Sequence, residues 1–181
     1  MRVGIIDNGG QWTHLERKAL KELGAEVKII PVISEAKIGE CDCLVLSGGR
    51  GSVNDIYAGV MPFIEKVSVP VLGICMGLHI MAKHFGGKVG KGSSGEFGRT
   101  EIFVDHGDEL FRNIPGSFFV WESHNEEVIE KPEGLEVLAH SRICGVEALK
   151  GKGFYGVQFH PEVNETEYGR EILRNFLEVA A

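Results

Sequence analysis

The sequence predicts an α/β fold, with a mostly parallel central sheet flanked by helices and extra antiparallel strands in the C-terminal half. Up to about Gly87, short apolar runs alternate with segments of helical periodicity, which is the pattern of parallel strands joined by helices on both faces. The run Cys43–Ser47 is almost continuously apolar, as expected for a strand buried on both faces. After Thr100, strand-like runs follow one another with only turn residues between them.

The first half of the chain contains the predicted parallel strands and three helices. One helix is indicated by Trp12, Leu15, Ala19 and Leu23, which fall on one face at helical spacing, and by Gly24, which suits a C-terminal cap. Strands are predicted at residues 2–7, 27–32, 43–47 and 69–74, and helices at 11–23, 58–67 and 76–85.

The second half contains short strand-like runs and one helix. Strands are predicted at residues 100–105, 117–122, 125–129, 135–139, 146–150 and 154–159. The segment 168–179 predicts a helix, because Ile172, Leu173, Phe176 and Leu177 form an apolar face. We expect these strands to extend the first sheet rather than build a second domain, so residues 1–181 are expected to form a single domain.

Composition excludes several classes of protein. The chain has 181 residues, 25% of them charged, and a net charge of −7 without a basic run, which argues against nucleic-acid binding. It lacks the ~20-residue apolar stretch of a membrane span, and its first apolar run, Val3–Ile6, is too short for a signal peptide. Cys41 and Cys43 have the wrong spacing for a zinc site, so no metal is expected. A cytoplasmic location, where thiols stay reduced, is predicted.

A nucleophile is predicted at Cys75. The stretch Val69–Gly77 reads as an apolar strand that enters a Gly-x-Cys-x-Gly turn and then a helix. Such a strand-to-helix corner lifts a nucleophilic side chain out of the sheet, and Gly73 and Gly77 leave room for the turn. The helix N-terminus favours a thiolate. A buried, unreactive cysteine between two glycines is the alternative that this stretch alone leaves open.

A histidine and a carboxylate occur together near the C-terminus, at His160 and Glu162. Pro161 favours an extended backbone at His160, and residues i and i+2 of an extended chain point the same way. The carboxylate can then fix one ring nitrogen while the other exchanges a proton with a thiol. A surface turn with a solvated glutamate is the alternative. With Cys75, these residues have the composition of a Cys-His-Glu triad, whose members meet only in the fold.

A glycine-rich loop, Ser47–Ser52, follows the predicted third strand. Ligands of open α/β sheets bind beyond the carboxyl ends of the strands, where this loop and Cys75 both fall. One N–H group from the loop and one from Met76 are therefore predicted to form an oxyanion hole. The spacing does not match a dinucleotide fingerprint. The loop also resembles the pyrophosphate loop of ATP pyrophosphatases, but Gly51 replaces its aspartate, so no nucleotide site is expected.

A fourth polar stretch is Trp121–Glu126, predicted to be a strand that ends in a polar loop. Its backbone and side-chain groups would be free to bind a ligand. An ordinary hairpin turn is the alternative.

Together these motifs resemble the class I (triad) glutamine amidotransferase family. The resemblance covers nearly the whole chain and rests on Ser47–Gly49, Gly73–Gly77, Ser123–His124 and His160–Glu162, in the order the family has them. It implies the flavodoxin-like fold of that family and the hydrolysis of glutamine to glutamate and ammonia.

The resemblance also implies roles for individual residues. Cys75 would attack the side-chain amide of glutamine to form a glutamyl thioester, His160 would pass a proton to the departing ammonia, and Glu162 would orient His160. The N–H groups of Gly49 and Met76 would hold the oxyanion. The substrate-binding residues implied are Gly48, Gly51, His79, Ser123 and His124, with the backbone of the last two holding the α-amino and carboxylate groups.

Within the family, Asp7–Gln11, Glu96–Gly98 and Trp121–His124 look like the stand-alone glutaminase subunits of two-subunit, archaeal-type GMP synthetases. Such an assembly implies a partner, an ATP pyrophosphatase subunit that binds ATP, Mg²⁺ and XMP and uses the ammonia to make GMP. This chain has no room for that domain, so no cofactor is expected in it. Its substrate would be L-glutamine, with no nucleic-acid or membrane partner.

Two positions depart from the family pattern. His79 stands where the family usually has glutamine, and Arg50 stands where it usually has proline. Two alternatives remain open at this point. The chain could be the glutaminase subunit of another amidotransferase, of the anthranilate or aminodeoxychorismate synthase type, or a non-catalytic regulator that binds glutamine or a partner.

Overall fold

The computed structural model describes residues 1–31, 39–64, 66–151 and 153–181. Within these ranges the strands are β1 (Arg2–Asn8), β2 (Glu26–Pro31), β3 (Cys43–Gly49), β4 (Val71–Ile74), β5 (Lys88–Val104), β6 (Ser117–Glu130), β7 (Glu136–Ser141), β8 (Ala148–Gly151) and β9 (Phe154–Val157). The helices are α1 (Thr13–Glu22), α2 (Val53–Ile64), α3 (Met76–His84) and α4 (Gly169–Val179), with a 3₁₀ turn at Glu109–Phe111. No helix in the described ranges is long and apolar enough to cross a membrane.

The nine strands of the described ranges belong to one sheet, in the order β2-β1-β3-β4-β9-β8-β7-β5-β6. The first five strands in that order are parallel to one another, and the remaining pairings are antiparallel. The α/β prediction, with antiparallel strands that extend the same sheet, is therefore confirmed. Strand β9, near the end of the chain, lies beside β4 and joins the two halves of the sheet.

Helices cover both faces of the parallel strands. Leu20 of α1 and Phe176 of α4 are buried in a core cluster on one face. Val60 of α2 and Leu78 of α3 are buried in a second core cluster, which includes Leu44 and Leu46 of β3. Because β3 carries apolar side chains into both clusters, its continuous apolar run is explained by burial on two faces.

The predicted boundaries in the first half differ from the structure at the helix starts. Helix α2 begins at Val53 rather than at residue 58. The Asn54 N–H donates to the Ser52 hydroxyl oxygen at 3.3 Å, which satisfies a free amide of the first turn. Helix α1 begins at Thr13, because Gln11 and Trp12 form a turn. The predicted strand 27–32 includes Val32 and the predicted helix 58–67 includes Glu65, and both residues lie outside the described residues.

The largest difference lies in the second half, where β5 and β6 form a long antiparallel pair. Strand β5 begins at Lys88, not Thr100, because its glycine-rich first part is held by pairing with β6 rather than by its own propensity. Strand β6 continues without a break through Ser123 and His124, which pair with Phe97 and Glu96. The predicted polar loop at this position is therefore wrong.

Candidate active site

A cavity of about 320 Å³ opens at the carboxyl ends of β3 and β4. This is where parallel α/β sheets bind their ligands. Every predicted site residue except Glu162 lines it: Gly48, Gly49, Gly51, Cys75, Met76, His79, Ser123, His124 and His160. Glu162 lies next to the cavity, behind the His160 ring.

Cys75 lies on a strained corner between β4 and α3. Its backbone has φ 49° and ψ −102°, an unusual conformation for a residue with a side chain. The Cys75 N–H donates to the Val157 carbonyl at 2.8 Å and so ties the corner to β9. A Cβ at Gly77 would overlap the Leu46 carbonyl oxygen. The sharp turn that presents the sulfur to the cavity thus depends on glycine at this position.

His160 and Glu162 form a buried pair beside the corner. The His160 Nδ1 lies 2.7 Å from the Glu162 Oε1, and both side chains are almost fully buried. The Trp12 ring meets the imidazole edge-on, with centroids 4.4 Å apart. Burial alone would lower the pKa of His160, but the Glu162 carboxylate and the neighbouring Cys75 thiol raise it to about 10. The structure therefore favours a protonated His160 next to the sulfur at neutral pH.

The backbone of His160 is held by strand β6 and by Thr166, a residue that was not predicted from the sequence. The His160 N–H donates to the Trp121 carbonyl at 3.0 Å. The Thr166 hydroxyl donates to the His160 carbonyl at 2.6 Å and accepts from the Trp121 N–H at 3.0 Å. Because β6 lies at the edge of the sheet, its outward backbone groups are free to make these bonds.

The predicted oxyanion donors lie close together beside Cys75. A Cβ at Gly49 would come within 2.9 Å of the Met76 side chain, which shows how closely the loop approaches the start of α3. The Met76 N–H belongs to the first helical turn, where amides have no intrahelical acceptor. Gly48 is packed against the His160 ring, since a Cβ there would lie 3.2 Å from its Cε1. The loop, the start of α3 and the imidazole therefore border the cavity together with Cys75.

Glu16, on the first turns of α1, is a further site residue that was not predicted from the sequence. Its side chain lines the cavity, is almost fully buried and accepts a hydrogen bond from the Gly48 N–H at 3.2 Å. Burial, followed by the Glu162 charge, raises the pKa of Glu16 to about 8. Glu16 follows Trp12 by one helical turn and lies beside Ala19 on the predicted apolar face. This position could have indicated that the side chain is buried.

Replacing Glu16 with glutamine is expected to change how stability depends on pH. The folded protein holds the Glu16 proton more tightly than the unfolded chain does. The contribution of Glu16 to the free energy of unfolding therefore falls as pH rises from about 4.5 to about 8. Glutamine has no such proton and still accepts from Gly48. Chemical denaturation at pH 5, 7 and 9 should therefore show the variant gaining stability relative to wild type as pH rises. A difference that is constant over this range would contradict the buried-acid assignment.

His79 lines the cavity, but its ring is bonded to another side chain. The His79 Nε2 lies 2.7 Å from the Gln158 Oε1, and both residues are buried. The Gln158 Nε2 lies 3.8 Å from the Cys75 sulfur. No role for Gln158 was predicted from the sequence, although it precedes His160 by two residues. A substrate-binding role for His79 stays a prediction, since one of its ring nitrogens is already engaged.

His124 faces a buried group of glutamates behind the cavity. Its Nε2 lies 3.4 Å from the Glu122 Oε2 and 3.6 Å from the Glu96 Oε2. Burial raises the pKa of Glu122 well above its usual range and that of Glu147 to about 8. Burial also opposes ionisation of Glu96, but the neighbouring His124 and the Ser141 hydroxyl, which donates to the Glu96 carboxylate, lower its pKa. One charged and two protonated carboxyls are therefore favoured near neutral pH.

The same region contains two groups of possible cation ligands, and one of them consists of Glu96, Cys144 and Glu147. Ligand atoms of Glu122, His124 and Glu147 lie within 4.8 Å of one another. The cavity itself is lined by a thiol, an imidazole and backbone amide groups. These groups can form a covalent bond to a carbonyl carbon, hold the oxyanion and protonate a leaving group.

Comparisons with known proteins agree with this chemistry. A glutamine-hydrolysing GMP synthase subunit from Thermoplasma acidophilum is 41% identical over 100% of this chain and 94% of its own length. The protein of the same name from Methanocaldococcus jannaschii is 43% identical over 97% of this chain and 95% of its own. A crystal structure of a Thermoplasma acidophilum protein, 40% identical, superimposes with a TM-score of 0.94 and covers 99% of this chain and 94% of that one.

The family model gives the same result. The model of class-I glutamine amidotransferases matches residues 4–180. The match includes both halves of the sheet and every residue placed around the cavity. The chain belongs to the class-I glutamine amidotransferase family.

Proposed function

We propose that this chain is the glutamine-hydrolysing subunit of a two-subunit GMP synthase. One observation carries the proposal: the strained corner at Cys75 and the pair of His160 and Glu162 lie at the same cavity. Within that pair, the His160 Nδ1 is 2.7 Å from the Glu162 Oε1. The names of relatives at 41–43% identity over almost the full chain support the choice of GMP synthase.

Acylation begins with the Cys75 sulfur attacking the side-chain amide carbon of L-glutamine. A protonated His160 beside the sulfur favours the thiolate, which is the nucleophilic form. The carbonyl π electrons move to oxygen, and the N–H groups of Gly49 and Met76 hold this oxyanion. Collapse of the tetrahedral intermediate breaks the C–N bond, and His160 donates its proton to the departing nitrogen. The products of this half-reaction are ammonia and a glutamyl thioester.

Deacylation uses the same groups in the reverse order. His160, now neutral, takes a proton from a water molecule, and the resulting hydroxide attacks the thioester carbonyl. Breakage of the C–S bond restores the Cys75 thiolate beside the protonated His160 and releases glutamic acid, which loses its proton to solvent to give glutamate. Glu162 keeps the Nδ1 side of the imidazole occupied throughout, so Nε2 is the nitrogen that exchanges protons. Gly48, Gly51, His79, Ser123 and His124 are proposed to surround the substrate.

The ammonia is proposed to pass to a partner, an ATP pyrophosphatase subunit that binds ATP, Mg²⁺ and XMP. The relatives are each named as one subunit of a GMP synthase, which supports the existence of a second. We propose no cofactor in this chain itself. A cytoplasmic location is also proposed, which agrees with the absence of a disulfide among the cysteines of the described residues.

The proposal is tested by measuring glutamate release from glutamine with and without an archaeal ATP pyrophosphatase subunit, XMP and ATP. We expect release in the complete mixture, with one glutamate formed for each GMP, because each amination consumes one ammonia. The control mixture replaces glutamine with ammonium chloride and omits this chain, which tests the partner alone.

Two outcomes would contradict the proposal. Glutamate release that depends on a chorismate-using partner and not on the XMP mixture would mean that the partner is wrong. Failure to hydrolyse glutamine with either partner would favour a non-catalytic regulator.

A further inference from the structure

Three buried polar side chains form a continuous row that ends at the reactive sulfur. His79 lies on α3, one helical turn after Cys75, and its Nε2 is 2.7 Å from the Gln158 Oε1. The Gln158 Nε2 is 3.8 Å from the Cys75 sulfur. Gln158 is fully buried, so neither end of its amide exchanges its partner for water. The row therefore connects a helix residue to the sulfur through a single amide.

The direction of the hydrogen bonds follows from the protonation of His79. Burial lowers the pKa of His79 to about 4, although the contact with Gln158 acts in the opposite direction. A neutral imidazole carries one N–H, and the amide oxygen of Gln158 can only accept. The proton therefore lies on Nε2, and Nδ1, which has no hydrogen-bond partner among the described residues, is left as an acceptor.

The opposite amide orientation is less favourable at both ends. It would leave a buried Nδ1–H without an acceptor, and orphaned buried donors are rarer than orphaned acceptors. It would also turn the Gln158 oxygen toward a sulfur that is negatively charged as a thiolate. The observed orientation instead directs an N–H group to the sulfur, which can accept a hydrogen bond at this distance.

The main chain fixes the distance between the amide and the sulfur. The Gln158 N–H donates to the Glu147 carbonyl at 2.8 Å, and the Cys75 N–H donates to the Val157 carbonyl at 2.8 Å. These bonds fix Cys75 against the end of β9 and Gln158 against the residue that precedes β8. Only the torsions of the Gln158 side chain remain to be set, and the bond to His79 sets them.

We propose that His79 and Gln158 are positioning residues that hold one amide N–H against the Cys75 sulfur and so stabilise its thiolate. This inference rests on the proposed role of Cys75 as the nucleophile. The effect of His79 on the sulfur is transmitted through Gln158.

The other ionisable groups near the sulfur act independently of this row. His160 faces the sulfur from the segment after β9 and is favoured as an imidazolium. Glu122, from strand β6, interacts electrostatically with Cys75 and keeps its proton because it is buried beside Glu147. The hydrogen bonds of the row run between His79, Gln158 and the sulfur, so substitutions in the row leave the charges of His160 and Glu122 in place.

The test is the pH dependence of Cys75 alkylation by iodoacetamide, with the modified residue identified by mass spectrometry. Gln158→Met removes the N–H donor and His79→Leu removes its anchor. In each variant, the pH at which the alkylation rate is half its maximum is expected to rise by about half to one pH unit. This is the shift expected for the loss of one hydrogen bond. The double variant should show the same shift as either single variant, because both break one row. His79→Gln should keep the midpoint of the alkylation curve at its wild-type pH, because glutamine can also donate to the Gln158 amide oxygen.

His84→Leu, at the far end of the same helix, is the matched control and should leave the midpoint unchanged. An unchanged midpoint in folded Gln158→Met or in folded His79→Leu would overturn the proposal, as would additive shifts in the double variant. If one variant fails to fold, the other still decides. Because alkylation needs no glutamine, failure of the proposed glutaminase activity would be seen separately, as an inactive wild-type complex.

Discussion

Replacing Cys75 with alanine is expected to lower glutamine-dependent GMP formation by at least about 10⁴-fold. Among the described residues that line the cavity, Cys75 is the one placed to form the acyl intermediate, and loss of a nucleophile removes the covalent route altogether. GMP formation from added ammonium chloride should continue, because in the proposed assembly that reaction needs only the partner subunit. The measurement is the rate of GMP formation by the complex with each nitrogen source.

Cys43→Ala is the matched control for this experiment. Cys43 is buried at the amino end of β3, away from the carboxyl ends that form the cavity. We expect it to retain glutamine use and to lose some thermal stability through the small cavity it leaves. Substantial glutamine-dependent synthesis by the Cys75 variant would show that another residue is the nucleophile.

Replacing Glu162 with glutamine is expected to reduce kcat/KM for glutamine by about 10²–10⁴-fold. The substitution keeps the size of the side chain but removes the charge that raises the pKa of His160. A less basic imidazole favours the thiolate less, and an amide does not fix the imidazole tautomer as a carboxylate does. Steady-state glutamate release by the assembled complex measures the effect.

Glu165→Gln, on the same segment but exposed, is the control for a general effect of lost charge. It should have nearly wild-type activity. The two variants should also differ in pH profile, since only Glu162→Gln acts on the imidazole. Equal activity in both variants would mean that Glu162 does not support His160.

Much of the fold is predictable from the sequence because its parallel strands are short, apolar and separated by helices. Strands such as β3 bury both faces, so their residues carry an unbroken apolar signal. The corner at Cys75 is predictable for a similar reason, since Gly73 and Gly77 are required by close approach of the backbone. These features depend on a few neighbouring residues.

The features that were not predicted depend on partners distant in sequence. The first part of β5 contains glycines and lysines, and it becomes a strand only because β6 supplies its hydrogen bonds. Ser123 and His124 read as a loop because they are polar, yet they lie within the same pairing. Glu16 and Gln158 have no local motif, and their roles follow from contacts with Gly48, His79 and Cys75 that only the fold creates.

The pairing of β4 with β9 also bears on when the protein acquires activity during synthesis. The sulfur at Cys75 and the amide at Gln158 are separated by 83 positions in the chain. The nucleophile therefore leaves the ribosome long before the histidine beside it, because β5–β9 lie between them in the chain. A partly made chain holds a cysteine but no base. Hydrolysis of glutamine is thereby restricted to molecules whose last strand has docked, a safeguard that arises from strand order alone.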